Sequence, residues 1–268
     1  MNDLPTKVEP PDDSARRQMR QRTRRSFVCG AAAALSGLAG WAWLKSRANE
    51  AGLPWPLRRM LDANETLARA LFDPARLAPN FALGIAREPR VNGLLGLESR
   101  FDPARWKLRV ESPALKKPLV LTIDDIKTLP RVEMVTELKC VEGWTVPVHW
   151  GGATLADFAA KFGLATRSGK IPDLKKNPAD LFRYVEMVTP DMRYYVGLDI
   201  ESALHPQTLL CYEMNGEPLT LEHGAPLRLA IMVKYGFKSI KRIGTIRFLD
   251  ERARDYWAEQ GYDWYAGH

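Results

Sequence analysis

The sequence predicts an α+β fold, and three observations carry that expectation. Short runs rich in Val, Ile, Leu and aromatic residues recur at uneven intervals after residue 105, alternating with short helical patterns. No G-x-G-x-x-G or P-loop motif opens a helix, and the regular βαβ rhythm of a doubly wound parallel sheet is missing. The 268 residues, 46% of them hydrophobic, suit one main core with a small appendage.

Residues 16–27 read R-R-Q-M-R-Q-R-T-R-R-S-F, and an uncharged run follows from Val28 to Leu44. A basic stretch ahead of an apolar one is the organisation of a targeting segment. Gly, Ala and Trp fall on every helical face of the run, whereas a surface helix would keep one polar face. With Arg24 and Arg25 adjacent and Phe27 two places on, T-R-R-S-F resembles a twin-arginine export signal. That resemblance implies a partner in the twin-arginine export machinery and a location in the periplasm or on the outer face of the inner membrane. Seventeen helical residues reach roughly 25 Å, slightly short of the ~30 Å hydrocarbon layer. Trp41 and Trp43 suit a membrane interface, with Lys45 and Arg47 able to snorkel, so an anchor stays open beside cleavage after Ala48.

Leu53 to Phe72 carries Leu57, Met60, Leu61, Asn64, Leu67, Ala68 and Leu71 at helical spacing. It reads as an amphipathic helix packing on the main domain, with a membrane-surface role through Arg58, Arg59 and Arg69 as the alternative. Phe81 to Arg105 is irregular and rich in Gly, Pro and Asn, and such length inside a compact domain usually serves a ligand. Strands are expected at 107–111, 119–123, 132–139, 184–188, 208–212, 227–234 and 240–249. Helices are expected at 124–129 and at 154–162, the latter with Thr154 as N-cap, Asp157 in its first turn and Gly163 as its stop.

The formal charge of +7 invites a nucleic-acid reading, but its distribution argues against one. Residues 1–50 hold nine Lys/Arg against five Asp/Glu, leaving thirty against twenty-seven beyond them, so more than half of the excess lies in the targeting segment. The remainder has no run dense enough to track phosphates. Three cysteines, Cys29, Cys140 and Cys211, are too few for a disulfide scaffold. None sits in C-x-x-C or C-x-x-C-H, so neither structural zinc nor covalent haem is indicated, and the scattered histidines form no H-E-x-x-H helix.

Cys140 stands at the end of an apolar strand in E-L-K-C-V-E-G-W-T, where Gly143 turns the chain. A cysteine at such a junction, beside Lys139 and Glu142, is accessible and ionisable enough for metal ligation or nucleophilic attack. An inert buried thiol is the bland alternative. Cys211 reads as buried packing, and Asn215-Gly216 as a hairpin turn.

The segment around Cys140 resembles the part of the sulfite oxidase superfamily in which one cysteine supplies the protein's only sulfur ligand to molybdenum. Residues 209–229, L-L-C-Y-E-M-N-G-E-P-L-T-L-E-H-G-A-P-L-R-L, are similar to that family's strand, turn and pterin-binding stretch. Residues 234–243, K-Y-G-F-K-S-I-K-R-I, look like the next part of its cofactor pocket. The resemblance, over roughly residues 80–250, implies a sulfite-oxidase-type molybdopterin-binding fold of mixed sheets and short helices, with molybdenum-molybdopterin (Moco) as cofactor. The expected division is then 1–48 as signal or anchor, 49–80 as amphipathic lead-in and 81–268 as the oxidoreductase domain.

The cofactor carries a phosphate and a ring dense in donors and acceptors, so its site needs cations, polar side chains and close backbone approach. Arg228, Lys238 and Lys241 can supply charge-assisted bonds to the phosphate, and Gly236 leaves room for the backbone. Phe237 lies in the same segment, and His223 can donate or accept towards the pterin. By the family pattern Asn92 and Thr189 also reach it. Singly, each has an ordinary alternative: solvated strand charges for the lysines, turn positions for Thr189 and Asn92. Cys140 is the expected metal ligand. Tyr194 aligns with a tyrosine beside the metal in the family, with Tyr195 one residue away, and Arg193 or Arg90 is expected to hold an anionic substrate.

In this family the cofactor does the redox chemistry while an oxygen atom moves to or from a small substrate. Sulfite oxidation is the preferred expectation. The C-V-E-G-W version of the cysteine motif resembles the family's bacterial branch, which includes a methionine sulfoxide reductase, so reduction of an S- or N-oxide is the alternative. Without a haem motif, electrons must pass to a separate haem protein or membrane cytochrome. Two rivals remain: cysteine-dependent hydrolysis with His149 or His223 as base, and a metal-free binding module on the same fold.

Overall fold

The computed structural model describes residues 13–97 and 101–268, so the first twelve residues of the expected signal segment and residues 98–100 of the expected irregular stretch lie outside it. Two compact units are present, residues 1–50 with 54–56, and residues 51–53 with 57–268.

In the first unit, helix α1 (Asp13–Lys45) runs through both the basic stretch and the apolar run. Its side chains stay exposed, and Arg16–Lys45 is long and apolar enough to cross a membrane. The two-residue strands β1 (Asn49–Glu50) and β2 (Leu53–Pro54) lead to α2 (Trp55–Leu71).

The second unit is built on two five-stranded sheets. One has the order β10 (Glu217–Pro218), β9 (Thr208–Met214), β6 (Thr145–Thr154), β5 (Val132–Lys139), with β11 (Arg228–Ile231) also paired to β9. Every pairing in it is antiparallel. The other has the order β4 (Leu119–Leu121), β3 (Leu108–Glu111), β12 (Thr245–Leu249), β7 (Tyr184–Val188), β8 (Tyr195–Asp199), and only β3 and β12 run parallel. Alternation in β12, with Ile246 and Phe248 buried, marks a strand with one core face. In β9, Leu209, Leu210 and Cys211 are all inaccessible, as expected of a strand covered on both faces. The main core joins Val185, Leu198 and Phe248 of the second sheet to Leu210, Leu229 and Ile231 of the first.

Short helices fill the ends. In α3 (Ile123–Lys127) a capping box links Thr122 and Asp125. In α4 (Leu155–Phe162) Thr154 accepts from the Asp157 N–H and Gly163 closes the helix at φ +63°, as the sequence predicts. The remaining helices are α5 (Ile200–Ala203) and α6 (Tyr256–Glu259).

Several boundaries differ from expectation. The strand expected to Ile123 stops at Leu121, because Thr122 turns its side chain to cap α3. Of the strand expected over 240–249 only Thr245–Leu249 pairs, and β11 is the short core of the run expected over 227–234. Strands β6 and β8 and the two-residue β1, β2 and β10 are additional; β6 contains Pro147 and a register shift between Gly151 and Gly152, which break the alternation that identifies strands.

Helix α2 forms as expected, but only part of its expected stripe packs inward: Leu61 and Ala68 are half-buried, Ala68 against the cluster of Ala253, Ala258, Trp264 and Tyr265. Arg58 and Glu65 are its buried residues, whereas Leu57, Met60, Leu67 and Leu71 of the stripe expected to pack on the domain are exposed. The Arg58 guanidinium donates to the carbonyls of Ala51, Ala258 and Tyr262, so polar contacts dock this helix.

Candidate active site

A cleft of about 340 Å³ opens where β5 ends, and its wall comes from six stretches of the sequence. Cys140 follows the last residue of β5 and begins the hairpin to β6; its N–H donates to the Trp144 carbonyl at 2.9 Å and its carbonyl accepts from Gly143 N–H at 3.0 Å. Gly143 sits at φ +89°, a conformation open to glycine. The turn leaves the thiol half-buried in the cleft wall, with Asn92 Nδ2 3.8 Å from its sulfur. Burial, helped by the Glu142 carboxylate, pushes the thiol up from its ordinary value. The expected assistance from Lys139 does not reach it, since that ammonium lies 3.8 Å from Glu137. The thiolate therefore needs a cation brought in from outside the chain.

Opposite electrostatics hold elsewhere in the cleft wall. Arg228 is buried in β11, stacked 4.9 Å above the Trp150 ring, and donates to the carbonyls of His223 at 3.2 Å and Ser239 at 3.4 Å. Among the described residues it has no carboxylate at salt-bridge distance. Burial lowers its pKa to about 10. Lys241 lies beside it, its Nζ buried without a hydrogen-bond partner among the described residues, and burial followed by repulsion from Arg228 lowers its pKa to about 8. Two cations forced together with no anion between them are poised for one.

His223 completes this part of the wall. Its Nε2 lies 3.3 Å from Glu88 Oε1, while Nδ1 is buried with no hydrogen-bond partner among the described residues. Burial, followed by Arg228, lowers its pKa and keeps the ring neutral near pH 7. The Glu88 contact assigns the proton to Nε2, leaving Nδ1 as an acceptor. Gly224, at φ +98°, brings this turn against the Lys241 backbone: a Cβ there would stand 2.7 Å from Lys241 Cβ. At Gly236 a Cβ would meet Leu138 and Lys139 at 3.2 Å, so close packing fixes that segment beside Cys140.

Arg90, Asn92, Cys140, Tyr194, His223, Arg228, Gly236, Phe237 and Lys241 all line the cleft. The Tyr194 hydroxyl donates a hydrogen bond to the Phe237 carbonyl, and burial holds the phenol protonated. Tyr195 faces away, bonded to Glu259 and Arg254. Three expected residues are placed elsewhere. Lys238 is fully buried with its Nζ 2.5 Å from Asp255 Oδ2 and 2.9 Å from the Gly197 carbonyl, so its charge is committed to the fold and is not available to a phosphate. Thr189 spends its hydroxyl on Asp191 and the Tyr194 backbone beneath Gly96. Arg193 is exposed, outside the cleft wall.

The cleft also takes in residues that sequence reasoning passed over. Ser239 stands inside the quoted 234–243 segment, and Trp144 and Glu142 directly follow Cys140. Trp257 and Tyr262 come from the C-terminal stretch D-Y-W-A-E-Q-G-Y, whose aromatic density was the available signal. Cys211 is the inert packing residue expected, its pKa pushed to about 12 by burial.

One partly accessible thiol and an unneutralised cation pair in the same cleft suit an anionic cofactor carrying a soft metal. Among the described residues no cluster of three or more His, Cys, Asp or Glu forms a metal site, so such a metal must arrive with its other ligands.

The chain belongs to the oxidoreductase molybdopterin binding domain family, whose model matches residues 95–257. It is 32% identical over 201 residues to the putative protein-methionine-sulfoxide reductase subunit YedZ1 of Azospira oryzae, covering 74% of this chain and 70% of that one. It is 35% identical over 158 residues to the protein-methionine-sulfoxide reductase catalytic subunit MsrP of Xanthomonas campestris, covering 57% of this chain and 47% of that one. The corresponding subunit of Ralstonia nicotianae is 30% identical over 224 residues, covering 76% and 65%. The matched region thus spans between about half and two-thirds of these two catalytic subunits. Among solved structures, the sulfane dehydrogenase SoxCD of Paracoccus pantotrophus matches with a TM-score of 0.48 at 17% identity, covering 67% of this chain and 46% of that one.

Proposed function

We propose that this chain is a molybdenum-molybdopterin oxidoreductase that reduces sulfoxides, methionine sulfoxide among them, with Cys140 as the metal's thiolate ligand. The observation that carries the cofactor assignment is the unpartnered Lys241 ammonium beside Arg228, in the same cleft as Cys140. A phosphate between those cations would relieve their mutual repulsion and raise the lowered pKa of Lys241. His223 Nδ1, orphaned and aimed into the site, would accept from a ring donor, with Glu88 holding the tautomer. Asn92 stands near enough to orient the Cys140 sulfur. When bound, the cofactor supplies the two-electron exchange on the substrate oxygen. Tyr194 contributes a neutral, hydrogen-bonded wall.

Sulfoxide reduction is favoured over the sulfite oxidation expected from the sequence, on two grounds. The relatives named above are described as methionine-sulfoxide reductase subunits. Aromatic faces of Trp144, Phe237, Trp257 and Tyr262 line the cleft, and they suit an alkyl sulfoxide better than a hydrated dianion. Sulfite oxidation keeps one supporting feature, Arg90 in the cleft wall. Electrons would come from a separate haem protein, and the targeting segment points to the periplasm.

The deciding experiment is turnover by the purified, metal-loaded protein, with a reduced dye and methionine sulfoxide or with an oxidised acceptor and sulfite. Methionine sulfoxide should be consumed and sulfite should not. Cys140→Ser should fold and lose the activity, because an alcohol poorly replaces the thiolate that molybdenum prefers. Full turnover by that variant would overturn the assignment of Cys140.

A further inference from the structure

Helix α2 is amphipathic the wrong way round for a helix that packs on a core. Positions 57, 60, 64, 67 and 71 fall on one stripe at spacings of three and four, and Leu57, Met60, Leu67 and Leu71 occupy it with Asn64 in their midst. Met60 is 63% exposed, Leu67 61% and Leu71 74%. The opposite face carries Arg58, tied to three backbone carbonyls, and Glu65, which accepts from both Arg69 and Arg252. Polar contacts thus fix the rotation of α2 about its axis and hold the apolar stripe outward.

We propose that this stripe rests on the lipid bilayer surface, so that α2 is an interfacial helix of the oxidoreductase unit. The proposal relies on α1 being a retained membrane anchor. Helix α1 is exposed, and Arg16–Lys45 is long and apolar enough to cross a bilayer. Trp41, Trp43, Lys45 and Arg47 cluster at its C-terminal end, the combination of aromatic and cationic residues that marks the exit from hydrocarbon. Nine residues, 46–54, separate α1 from α2. A linker of that length spans at most about 30 Å when fully extended. Trp55, partly exposed in the first turn, and Arg59 beside the stripe supply the interfacial aromatic and cation such a helix uses.

The full chain, reconstituted into phosphatidylethanolamine and phosphatidylglycerol vesicles doped with a lipid carrying a photoactivatable diazirine on its acyl chain, provides the test. After irradiation and peptide mapping, both α1 and the α2 peptides containing Met60, Leu67 and Leu71 should carry lipid. In the Met60→Glu/Leu67→Glu variant, lipid should disappear from α2 and remain on α1, while the melting temperature and dye-linked activity in detergent stay at the parent values. Labelled α1 with unlabelled α2 in the parent chain overturns the proposal and leaves the anchor standing. Unlabelled α1 overturns the anchor reading, and the proposal with it. Cross-links joining α2 of one copy to α2 of another, in place of lipid, assign the stripe to a dimer and also overturn the proposal.

Discussion

Lys238 and Lys241 lie three residues apart, and replacing each with Met separates a structural cation from a binding one. Lys238 and Asp255 are both almost inaccessible, and Lys238→Met strands the Asp255 carboxylate in the interior. Breaking one side of a buried ion pair costs about 3–5 kcal/mol. For a domain of this size each kcal/mol shifts the midpoint by about 2–4 °C, so the cofactor-free variant should melt roughly 6–20 °C lower. Lys241→Met keeps most of the aliphatic stem and deletes an ammonium that has no partner, so its midpoint should hold or rise. pH gives an independent readout. The folded pKa of Lys241 is lowered from 10.5 to about 8, so between those values the unfolded chain binds the additional proton. The penalty for burying the charge is full below about pH 8 and fades as pH rises to about 10.5, so this group makes cofactor-free stability climb across that window. Lys241→Met should remove that climb and should also lose bound pterin, measured by fluorescence after oxidative release. The assay is thermal unfolding of both variants by near-ultraviolet circular dichroism from pH 7 to 10.5. Equal midpoint losses in the two variants, or a Lys238→Met protein that melts like the parent and lacks pterin, would refute the division of roles.

Two further outcomes follow from the geometry. Gly224→Val places a branched side chain at φ +98°, with its Cβ 2.7 Å from Lys241 Cβ, and should cost about 1–3 kcal/mol in backbone strain while weakening protection by inorganic phosphate in a melting assay. Undiminished phosphate protection would separate the 223–228 turn from the anion site. Replacing Arg24 and Arg25 together by Lys preserves charge and should abolish export of the folded protein; normal delivery would show that charge alone, and not the arginine pair, directs it.

Part of the fold was legible because its causes are local. Thr154 and Gly163 bound α4 as expected, since capping depends on side chains within a few residues. Val132–Lys139 is a strand with Cys140 at its end, and the apolar run states this directly. Strand β6 was missed because Pro147 and Gly151-Gly152 interrupt its pattern, and its pairing with β5 and β9 supplies what its own sequence lacks.

The sequence by itself determined the α+β class, the family, the thiol at the strand end and the candidate cations. Tertiary structure alone decided which of those groups share a space. Lys238 and Lys241 carry the same charge in the same decapeptide, yet the first meets Asp255, seventeen residues away, and the second lies beside Arg228 with its Nζ unpartnered among the described residues. Arg193 and Arg90 read alike as substrate cations, and only Arg90 reaches the cleft. Helix α2 announces an apolar stripe but not its direction, because Arg58 finds its carbonyls on Ala258 and Tyr262, two hundred residues on. A local pattern reports what a residue can do; the long-range partner that commits it exists only once the chain has closed on itself.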